Sequence, residues 1–590
     1  MTPSDVSAGP PASPVASRDS PNALPARDPT NGVDDLKHEE LRPTPEDHED
    51  DSFPSLDDLI PDWFSKKSIL TDAEVKSDKP TLTSLIVQIN QAAASLRRLP
   101  PLRLWRGNQR RAWARCTRQF TGYFQAALRK DPNSEDFLKL CLRLLELPSI
   151  ILTETMPGSK PPSDARASMP FKLKKAESLA FQDRLHEATK IMFSHGVTPP
   201  SEEVFTRLQR LHPPRKEAIP LLEAADDQFS ITPAQTKQAL FRHSAETWKS
   251  LDPFGWSTAL LHLIRAFKPE EGVSFFDLTA EFISMLANCQ VPDSVAFIFT
   301  TGSLIALNKD PDHVRLKRLK DGLRPRERPI NQGTMFLKIA FDLALRSKPA
   351  QKAAESLRPI QQGLGSKRGM ELIAHACSAF YKEGYAILKK DATNGFQEIS
   401  RAKMHRAIER RCPSLLGLFQ KYYNHESIGL YNTGEAVKVV NIEDGCRMGC
   451  RLSSFGFDVT IHDAYLSVKE QLERTATDKA NDHSFVKGAT DDVVIAIKPD
   501  PANPNALYKR VRALCMKLDW EAEKVGLSFE NDKATLLLPP GCPLPDDPTL
   551  IPALLDVRSD VSEDVHSQGM EIVGCPVGSE RFCANCQKQS

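Results

Sequence analysis

The stretch VKGATDDVVIAI (residues 486–497) places two adjacent aspartates, Asp491 and Asp492, between two apolar runs. Apolar runs separated by a short polar segment predict a β-hairpin, with the acidic pair at its tip. Adjacent carboxylates repel each other, and burying them beside a sheet is costly unless a partner compensates their charge. The pair therefore raises the question of which group offsets its charge.

A third aspartate, Asp391, follows a short predicted strand (residues 385–389) in the stretch EGYAILKKDATNGFQEISR. Three predicted elements lie between this strand and the acidic hairpin. They are a helix capped by Ser400, a second hairpin with its turn at Thr433 and Gly434, and the glycine-punctuated loop EDGCRMGCRLSS, which enters a long helix. This order predicts that Asp391, Asp491 and Asp492 meet at adjacent strand ends. Clustered carboxylates supply the hard oxygen ligands that Mg²⁺ or Mn²⁺ prefers, and two such ions can clamp the reacting oxygens of a phosphoryl transfer.

The ordered motifs resemble those of reverse transcriptases of the non-LTR, LINE-like retroelement kind. LKKDATNGF is similar to the first palm motif, EDGCRMGCRLSS to the second, GATDDVVIAI to the third and EKVGLSFENDKATLLLP to the fourth. TGSLIALNKD and RPRERPINQGTMFLKIAFDLAL resemble the fingers motifs, and RPIQQGLGSKRGMELIAHA resembles the segment that links fingers to palm. The resemblance covers residues 248–590. It implies an α+β right-hand polymerase with fingers at 221–380 and a palm at 381–590, in which helices flank a ferredoxin-like sheet.

The resemblance implies an RNA-directed DNA polymerase that extends a primer by two-metal nucleotidyl transfer. Asp391 and Asp491 would bind two Mg²⁺ or Mn²⁺ ions, with Asp492 as a supporting carboxylate, and Lys533 would protonate the leaving pyrophosphate. Phe396 would lie under the incoming sugar and exclude a 2′-hydroxyl, which favours DNA synthesis over RNA synthesis. The implied partners are an RNA template, a DNA primer and dNTPs.

Further residues acquire expected roles from the same resemblance. Lys309 and Arg328 match basic positions of the fingers, with Arg326 as a neighbouring candidate, and their charges would meet the triphosphate. The stretch MEIVGCPVGSE, which contains Gly574, resembles the hairpin with which such enzymes grip the primer end. Gly574 is accordingly a predicted nucleic-acid contact.

Some features depart from the family pattern. Met448 stands where a glutamine amide normally helps to hold the nucleotide or template, and a thioether cannot make that hydrogen bond. Gly445 and Gly449 of the same loop retain the freedom that lets backbone approach a base pair closely. Ala489 replaces an aromatic residue, and we expect no thumb domain after the primer hairpin. The first alternative is therefore a catalytically impaired, truncated or domesticated nucleic-acid-binding protein. The second is an RNA-dependent RNA polymerase, which Phe396 disfavours.

The N-terminal third differs from the rest of the chain in composition and in predicted secondary structure. Residues 1–75 form a predicted disordered tail rich in acidic residues and proline, and residues 76–220 a predicted helical extension. Over residues 97–118 arginines are interleaved with Trp105 and Trp113, a pattern suited to binding phosphates and stacking bases. The candidate nucleic-acid-binding residues here are Arg97, Arg98, Arg106, Arg110, Arg111 and Arg115. The alternative is a solvated helix whose tryptophans pack inward.

Overall composition sets only broad limits. Lys+Arg and Asp+Glu balance at 77 each, so net charge does not mark a nucleic-acid-binding protein. The 12 cysteines lack the spacing of a disulfide framework, no signal segment begins the chain, and no apolar run reaches the length of a membrane span. We therefore expect an intracellular protein of the nucleus or cytoplasm without a membrane partner. The sequence does not determine its oligomeric state.

Overall fold

The computed structural model describes residues 55–68, 85, 88, 107–155, 196–223, 229–246, 252–265, 272–309, 318, 320, 326–366, 368–476, 478–500, 502–529, 534–545 and 547–589. Helices and strands both occur, which confirms the predicted α+β class. The strands are β1 Gly302–Asn308, β2 Glu327–Gln332, β3 Ala386–Asp391, β4 Ser427–Asn432, β5 Val437–Ile442, β6 Phe485–Ala489, β7 Asp492–Ile497, β8 Thr535–Leu537, β9 Asp556–Arg558, β10 Gly569–Ile572 and β11 Cys575–Gly578.

The helices extend over the whole described part of the chain. They are α1 Asp62–Ser65, α2 Gly107–Leu128, α3 Glu135–Thr155, α4 Glu202–Arg210, α5 Pro233–Glu246, α6 Thr258–Arg265, α7 Phe275–Ala287, α8 Asp293–Thr300, α9 Met335–Leu345, α10 Lys348–Ser356, α11 Gly369–Lys382, α12 Gly395–Glu398, α13 Arg401–Arg411, α14 Leu416–Tyr423, α15 Arg451–Arg474, α16 Pro504–Glu523 and α17 Glu580–Gln589. Within the described residues, no helix combines the length and the apolar composition that crossing a membrane requires.

A five-stranded sheet carries the acidic hairpin. Its strand order is β6-β7-β3-β8-β9, with β8 and β9 parallel and the other neighbours antiparallel. Strands β3 and β7 are internal, and both of their faces are covered. Leu388 and Ile495 belong to the large core that also contains residues of α15 and α16, whereas Ile387 and Val494 belong to a smaller cluster with residues of α11 and the β10–β11 hairpin. Burial on both faces explains why residues 386–388 of β3 and 493–497 of β7 are continuously apolar rather than alternating.

A four-stranded sheet joins two segments that are distant in sequence. Its order is β2-β1-β4-β5, with β1 and β4 parallel. Strands β4 and β5 form the predicted hairpin around Gly434, which has φ +98°. The β1–β4 pairing therefore connects the segment predicted as fingers to the segment predicted as palm.

The local predictions around the first motif are largely confirmed. Ser400 caps α13, and its hydroxyl accepts the N–H of Lys403 at 3.3 Å. The strand predicted over residues 385–389 is β3, which continues to Asp391 because that residue pairs with Asp492 of β7. The loop after β5 enters the long helix α15, as predicted.

The N-terminal extension contributes to the main core. Residues Pro54–Ser590 form one compact unit, within which α2 and α3 supply buried residues to the large hydrophobic cluster. Trp113 of α2 is fully buried, with its ring centroid 5.9 Å from that of Trp256. Within the predicted tail, Phe64 is also fully buried and its ring centroid lies 5.2 Å from that of Phe120. The alternative interpretation, in which tryptophans pack inward, is correct for Trp113.

Candidate active site

The tip of the acidic hairpin is a tight, strained turn. Thr490 and Asp491 alone connect β6 to β7, because Ala489 and Asp492 lie opposite each other in the ladder. Thr490 has φ +62°, a conformation that costs a β-branched residue on the order of 1–3 kcal/mol. The hydroxyl of Tyr465 on α15 donates to the carbonyl oxygen of Thr490 at 3.1 Å and stabilises the turn. The turn, rather than strand alternation, sets the direction of the Asp491 side chain.

Three carboxylates meet at this end of the sheet. Asp391, the last residue of β3, lies directly opposite Asp492, so both side chains leave the same face of the sheet. The N–H of Ala392 donates to the carbonyl oxygen of Asp491 at 3.1 Å, which ties the turn to the end of β3. The pKa of Asp491 is raised to about 6, first by burial and then by the charges of Asp492 and Asp391. The structure thus brings the three predicted carboxylates together.

Basic side chains face the carboxylates. Burial raises the pKa of Asp492, and the charges of Lys389, Arg328 and Lys309 act in the opposite direction. The N–H of Lys309, just past β1, donates to the carbonyl oxygen of Arg326 at 3.0 Å. The β1–β2 pairing therefore holds the predicted cations Lys309 and Arg328 near the acidic turn, with both side chains exposed.

The donor chemistry of this cluster fits a hard divalent cation. Among the described residues, no group of three or more His, Cys, Asp or Glu side chains stands in an arrangement that could hold a metal ion. The three carboxylates are nevertheless close enough that the charges of Asp492 and Asp391 raise the pKa of Asp491. The donors of Asp391, Asp491 and Asp492 are all carboxylate oxygens, the type that Mg²⁺ and Mn²⁺ prefer. Burial is the first cause of the raised pKa values of Asp491 and Asp492, and for Asp491 the charges of the neighbouring carboxylates add to it.

Two lysines precede Asp391, and the pleat of β3 sends them in opposite directions. Lys390 is 1% exposed, and its Nζ donates to Oδ1 of Asp519 on α16 at 2.7 Å. The Nζ of Lys389 donates to the carbonyl oxygen of Glu571 in the β10–β11 hairpin at 3.2 Å. Lys389 therefore links the acidic cluster to the hairpin predicted to hold the primer, a role that the sequence did not reveal.

Gly574 lies at the tip of that hairpin. Val573 and Gly574 form a two-residue turn in which both residues have positive φ, +47° and +83°. Positive φ at both central positions gives a turn whose twist matches the flanking strands. The predicted hairpin is confirmed, and contact between Gly574 and nucleic acid stays a prediction.

Phe396 lies beside the acidic turn. It is half-buried on the short helix α12, and its ring stacks on Phe457 of α15 with centroids 5.2 Å apart and planes inclined by 23°. The preceding residue, Gly395, permits this proximity, because a Cβ there would lie 3.3 Å from the Cβ atoms of both Ala392 and Asp491. The first and third predicted palm motifs therefore contact each other at Gly395, the residue that precedes Phe396.

The glycine-containing loop of the second motif packs against the segment that follows Asp391 by contacts between backbone atoms. Gly445 has φ +68°, and a Cβ there would lie 2.3 Å from the carbonyl oxygen of Gln397. Buried Arg401 anchors the loop, because its Nε donates to the carbonyl oxygen of Gly445 at 2.9 Å. Its N–H donates to Oδ1 of Asp444 at 2.8 Å. Within the protein, the close approach that Gly445 permits is to the backbone of Gln397, and an approach of this loop to a base pair stays a prediction.

Met448 and Gly449 border strand β2. The N–H of Asn331 donates to the carbonyl oxygen of Met448 at 2.8 Å, so the main chain of Met448 makes this contact. Gly449 has φ +106°, and a Cβ there would lie 3.0 Å from the carbonyl oxygen of Asn331. Gly449 thus also lies close to protein backbone, and its contact with a nucleotide stays a prediction. Both side-chain amide atoms of Asn331 are buried without a hydrogen-bond partner in the described part of the chain.

The basic surface of helix α2 is partly described. Arg111 and Arg115 are exposed, whereas Arg110 is half-buried, and its Nε has no hydrogen-bond partner among the residues described. Trp113 lies in the core and cannot stack on a base, so phosphate contact is the part of the prediction that remains for this helix. Four other predicted site residues lie outside the described residues: Arg97, Arg98, Arg106 and Lys533.

The sequence reasoning missed Asp458, a carboxyl on α15 beside the acidic turn. It is 1% exposed, it hydrogen-bonds the Thr490 side chain, and its Oδ1 has no partner in the described ranges. Burial, followed by the charge of Asp491, raises the pKa of Asp458 to about 8, so the group is largely neutral at pH 7. A charged residue inside the apolar run FGFDVTI was the available signal, because an unpaired buried carboxylate is costly.

Asp458→Asn should reduce the pH dependence of stability. The folded-state pKa of about 8 lies above the ordinary value of 3.8, so wild-type stability falls as pH rises from about 4 to 8. Asparagine has the same shape as aspartate and stays neutral at every pH. The unfolding free energy of the variant relative to wild type should therefore increase by about 2–4 kcal/mol when the pH is raised from 5 to 8.5. Urea unfolding in EDTA at both pH values measures this difference. Parallel pH profiles for the two proteins would contradict the assignment.

The predicted residues thus divide by location. Asp391, Asp491 and Asp492 meet at one sheet end, with Lys309 and Arg328 facing them. Phe396 borders this cluster, Met448 and Gly449 border β2, and Gly574 lies at the tip of the β10–β11 hairpin. The remaining predicted arginines lie on α2 or beside β2, or fall with Lys533 outside the described residues. No protein-family model matches the chain.

Proposed function

We propose that this chain is an RNA-directed DNA polymerase that transfers a nucleotide from a dNTP to the 3′ end of a primer. The observation that carries the proposal is the in-register pair of Asp391 and Asp492, with Asp491 in the adjacent turn. Cations on the neighbouring β1–β2 hairpin face this cluster. Phosphoryl transfer requires carboxylates that can bind divalent ions and, facing them, basic side chains that can bind phosphates.

The proposed roles follow the charges. Asp391 and Asp491 hold two Mg²⁺ or Mn²⁺ ions, which when bound supply charge compensation for the reacting phosphate oxygens. Asp492, whose carboxylate interacts with Lys389, supports the cluster. Lys309 and Arg328 are exposed and bind the triphosphate of the incoming nucleotide.

Three further roles are proposed, and one of them belongs to Lys533, which lies outside the described residues. Arg326 is exposed and adjoins the phosphate-binding cations on the same hairpin. Lys533 donates a proton to the leaving pyrophosphate. The β10–β11 hairpin, which Lys389 ties to the sheet, holds the primer end through its exposed turn at Gly574.

The basal test is primer extension on poly(rA)–oligo(dT) with Mg²⁺ or Mn²⁺. Incorporation of dTTP by the folded full chain, and its loss in EDTA, would support the proposal. Incorporation that does not require a divalent ion would contradict it, as would its absence from protein shown to be folded by circular dichroism.

Phe396 is proposed to select deoxynucleotides. Its ring is held by stacking on Phe457, and Gly395 keeps it next to the acidic turn. A fixed aromatic ring at that place would contact the sugar of a nucleotide bound between the carboxylates and the β1–β2 cations. A ring in van der Waals contact with the sugar leaves no room for a 2′-hydroxyl.

Phe396→Val should relax this selection. The smaller side chain removes the steric block, so the ratio of UTP to dTTP incorporation should rise by about 10- to 100-fold, the range expected when a pocket changes by a few carbon atoms. Steady-state kcat/KM for both nucleotides on the same primer–template measures the ratio.

Phe457→Leu is the matched control for Phe396→Val. Phe457 is fully buried, so its truncation loosens the same ring stack and lowers stability without reaching the nucleotide. We expect its UTP to dTTP ratio to stay within about twofold of wild type, inside the range of an indirect effect. An equal change in both variants would mean that general loosening, rather than the Phe396 ring, controls selection.

A nucleic-acid-binding protein without catalysis is the second candidate. Met448 favours it, because a thioether cannot replace the amide expected at that position. The exposed Arg111 and Arg115 on α2 would support binding in either case. Binding of poly(rA)–oligo(dT) without incorporation in either metal would select this candidate over the polymerase.

A further inference from the structure

A cavity of about 630 Å³ is lined by none of the predicted site residues. It is bordered by α5, α9, α10 and the first turn of α15, together with residues that follow α9 and α10. Most of the residues that line the cavity have polar side chains. They belong to Arg242, Asp342, Arg346, Gln351, Arg451 and Ser454.

The cavity has an excess of positive charge. Asp342 is 4% exposed and is the only carboxylate among the described residues that line the cavity. The Nε of Arg346 donates to its Oδ2 at 2.8 Å, and Arg451 pairs with its Oδ1. Arg242 adds a third guanidinium group. Three guanidinium groups against one carboxylate leave two positive charges around the cavity.

The shared carboxylate orients two of these guanidinium groups and leaves some of their hydrogen-bond donors available. The side chains of Arg346 and Arg451 remain 51% and 43% exposed while both pair with Asp342. A guanidinium group has five donors, so each of these arginines keeps donors for a ligand in the cavity. Asp342 therefore preorganises a fork of donors and leaves the positive excess in place.

The start of α15 adds to the positive potential. Arg451 is the first residue of this 24-residue helix, and no side chain caps the helix start, since the N-cap residue Cys450 makes no such bond. A cation at a helix N-terminus is unfavourable next to the positive end of the helix dipole. An anion bound near Arg451 and the hydroxyl of Ser454 would offset both charges.

We propose that this cavity binds a phosphate group. Planar guanidinium groups match the oxygen geometry of phosphate and can bind it with two parallel hydrogen bonds. The phosphate can belong to a nucleic-acid strand or to a free phosphate compound, because both present the same charged oxygens. The proposal goes beyond the polymerase activity and does not require it, since none of the acidic cluster takes part.

The test uses the full chain in EDTA, which suppresses metal-dependent binding at the acidic cluster. Inorganic pyrophosphate is titrated by calorimetry, and a 12-nucleotide single-stranded RNA by fluorescence anisotropy. The double variant Arg242→Gln/Arg451→Gln should weaken binding of at least one probe by about tenfold or more. Loss for pyrophosphate alone assigns the cavity to free phosphates, and loss for RNA alone assigns it to a strand.

Matched variants separate a specific site from general charge and from misfolding. Arg129→Gln/Arg410→Gln removes two exposed arginines elsewhere, each paired with one carboxylate, and should leave both affinities within about twofold. Arg242→Lys/Arg451→Lys keeps the charge and should retain part of the binding. The proposal is overturned if wild type binds neither probe at millimolar concentration, or if the glutamine variant, folded by circular dichroism, binds both probes like wild type.

Discussion

Asp491→Asn should reduce primer extension on poly(rA)–oligo(dT) by about 10³-fold or more at saturating Mg²⁺. The substitution keeps the size of the side chain and removes the charge that would hold a divalent ion. The Ala392 N–H bonds the main-chain carbonyl of Asp491, so the turn should keep its geometry in the variant. Single-turnover incorporation of dTTP measures the loss.

The same variant should be more stable than wild type in EDTA. The folded-state pKa of Asp491, about 6, lies above its ordinary value of 3.8, so the ionised group destabilises the fold increasingly as pH rises from about 4 to 6. At pH 7.5 the whole penalty is present, and its removal should add about 1–2 kcal/mol of unfolding free energy. Lower activity with higher stability is a combination that misfolding cannot produce.

Asp131→Asn provides the control for Asp491→Asn. Asp131 is exposed in the connection between α2 and α3, and its Oδ1 accepts the N–H of Asn133 at 2.9 Å, a bond that an asparagine oxygen can also accept. Its activity and stability should match wild type. Full activity of Asp491→Asn would contradict the polymerase proposal, since the central carboxylate would then be dispensable.

Gly445→Ala should destabilise the native state by about 3 kcal/mol and reduce extension by at least about 10²-fold. A Cβ at this position would lie 2.3 Å from the carbonyl oxygen and 2.5 Å from the carbonyl carbon of Gln397, and both are backbone atoms that cannot rotate away. The loop would have to leave its place against the first motif, although Arg401 anchors it there. Phe396, next to Gln397, would shift with it.

Gly434→Ala isolates the backbone contribution to this effect. Gly434 also has a positive φ, +98°, but a Cβ there would have no described atom within 4 Å. Its substitution should therefore cost about 1 kcal/mol, the conformational part alone, with little change in activity. Urea unfolding and primer extension on both variants measure the difference. Equal effects in the two glycines would show that contact with Gln397 is unimportant.

The sequence predicted those elements whose signals are local. Alternating and continuous apolar runs, the cap at Ser400 and the turn residues near Gly434 identified strands, a helix start and hairpins that the structure contains. These features depend on a residue and its near neighbours, so spacing alone is informative. Aromatic and basic residues of α2 were less predictable, because burial of Trp113 depends on distant Trp256.

The residues around the candidate site show where local signals end. Nothing in LKKD distinguishes Lys389 from Lys390, yet one bonds the β10–β11 hairpin and the other is buried against α16. The sequence did not reveal Asp458, because it lies on a helix and its neighbour Asp491 lies in a turn that is distant in the chain. The β1–β4 pairing was also not predicted, although it connects the strands that carry the cations to the predicted palm.

The sequence by itself determined the kinds of elements, their order and the identity of the acidic residues, because helix and strand periods and turn chemistry are local properties. Only the tertiary structure decided that Asp391 lies opposite Asp492, that Thr490 is held in a strained turn, and that Gly445 packs against the backbone of Gln397. Strand register, burial and charge proximity depend on pairings between distant segments, and no local pattern in the chain encodes them.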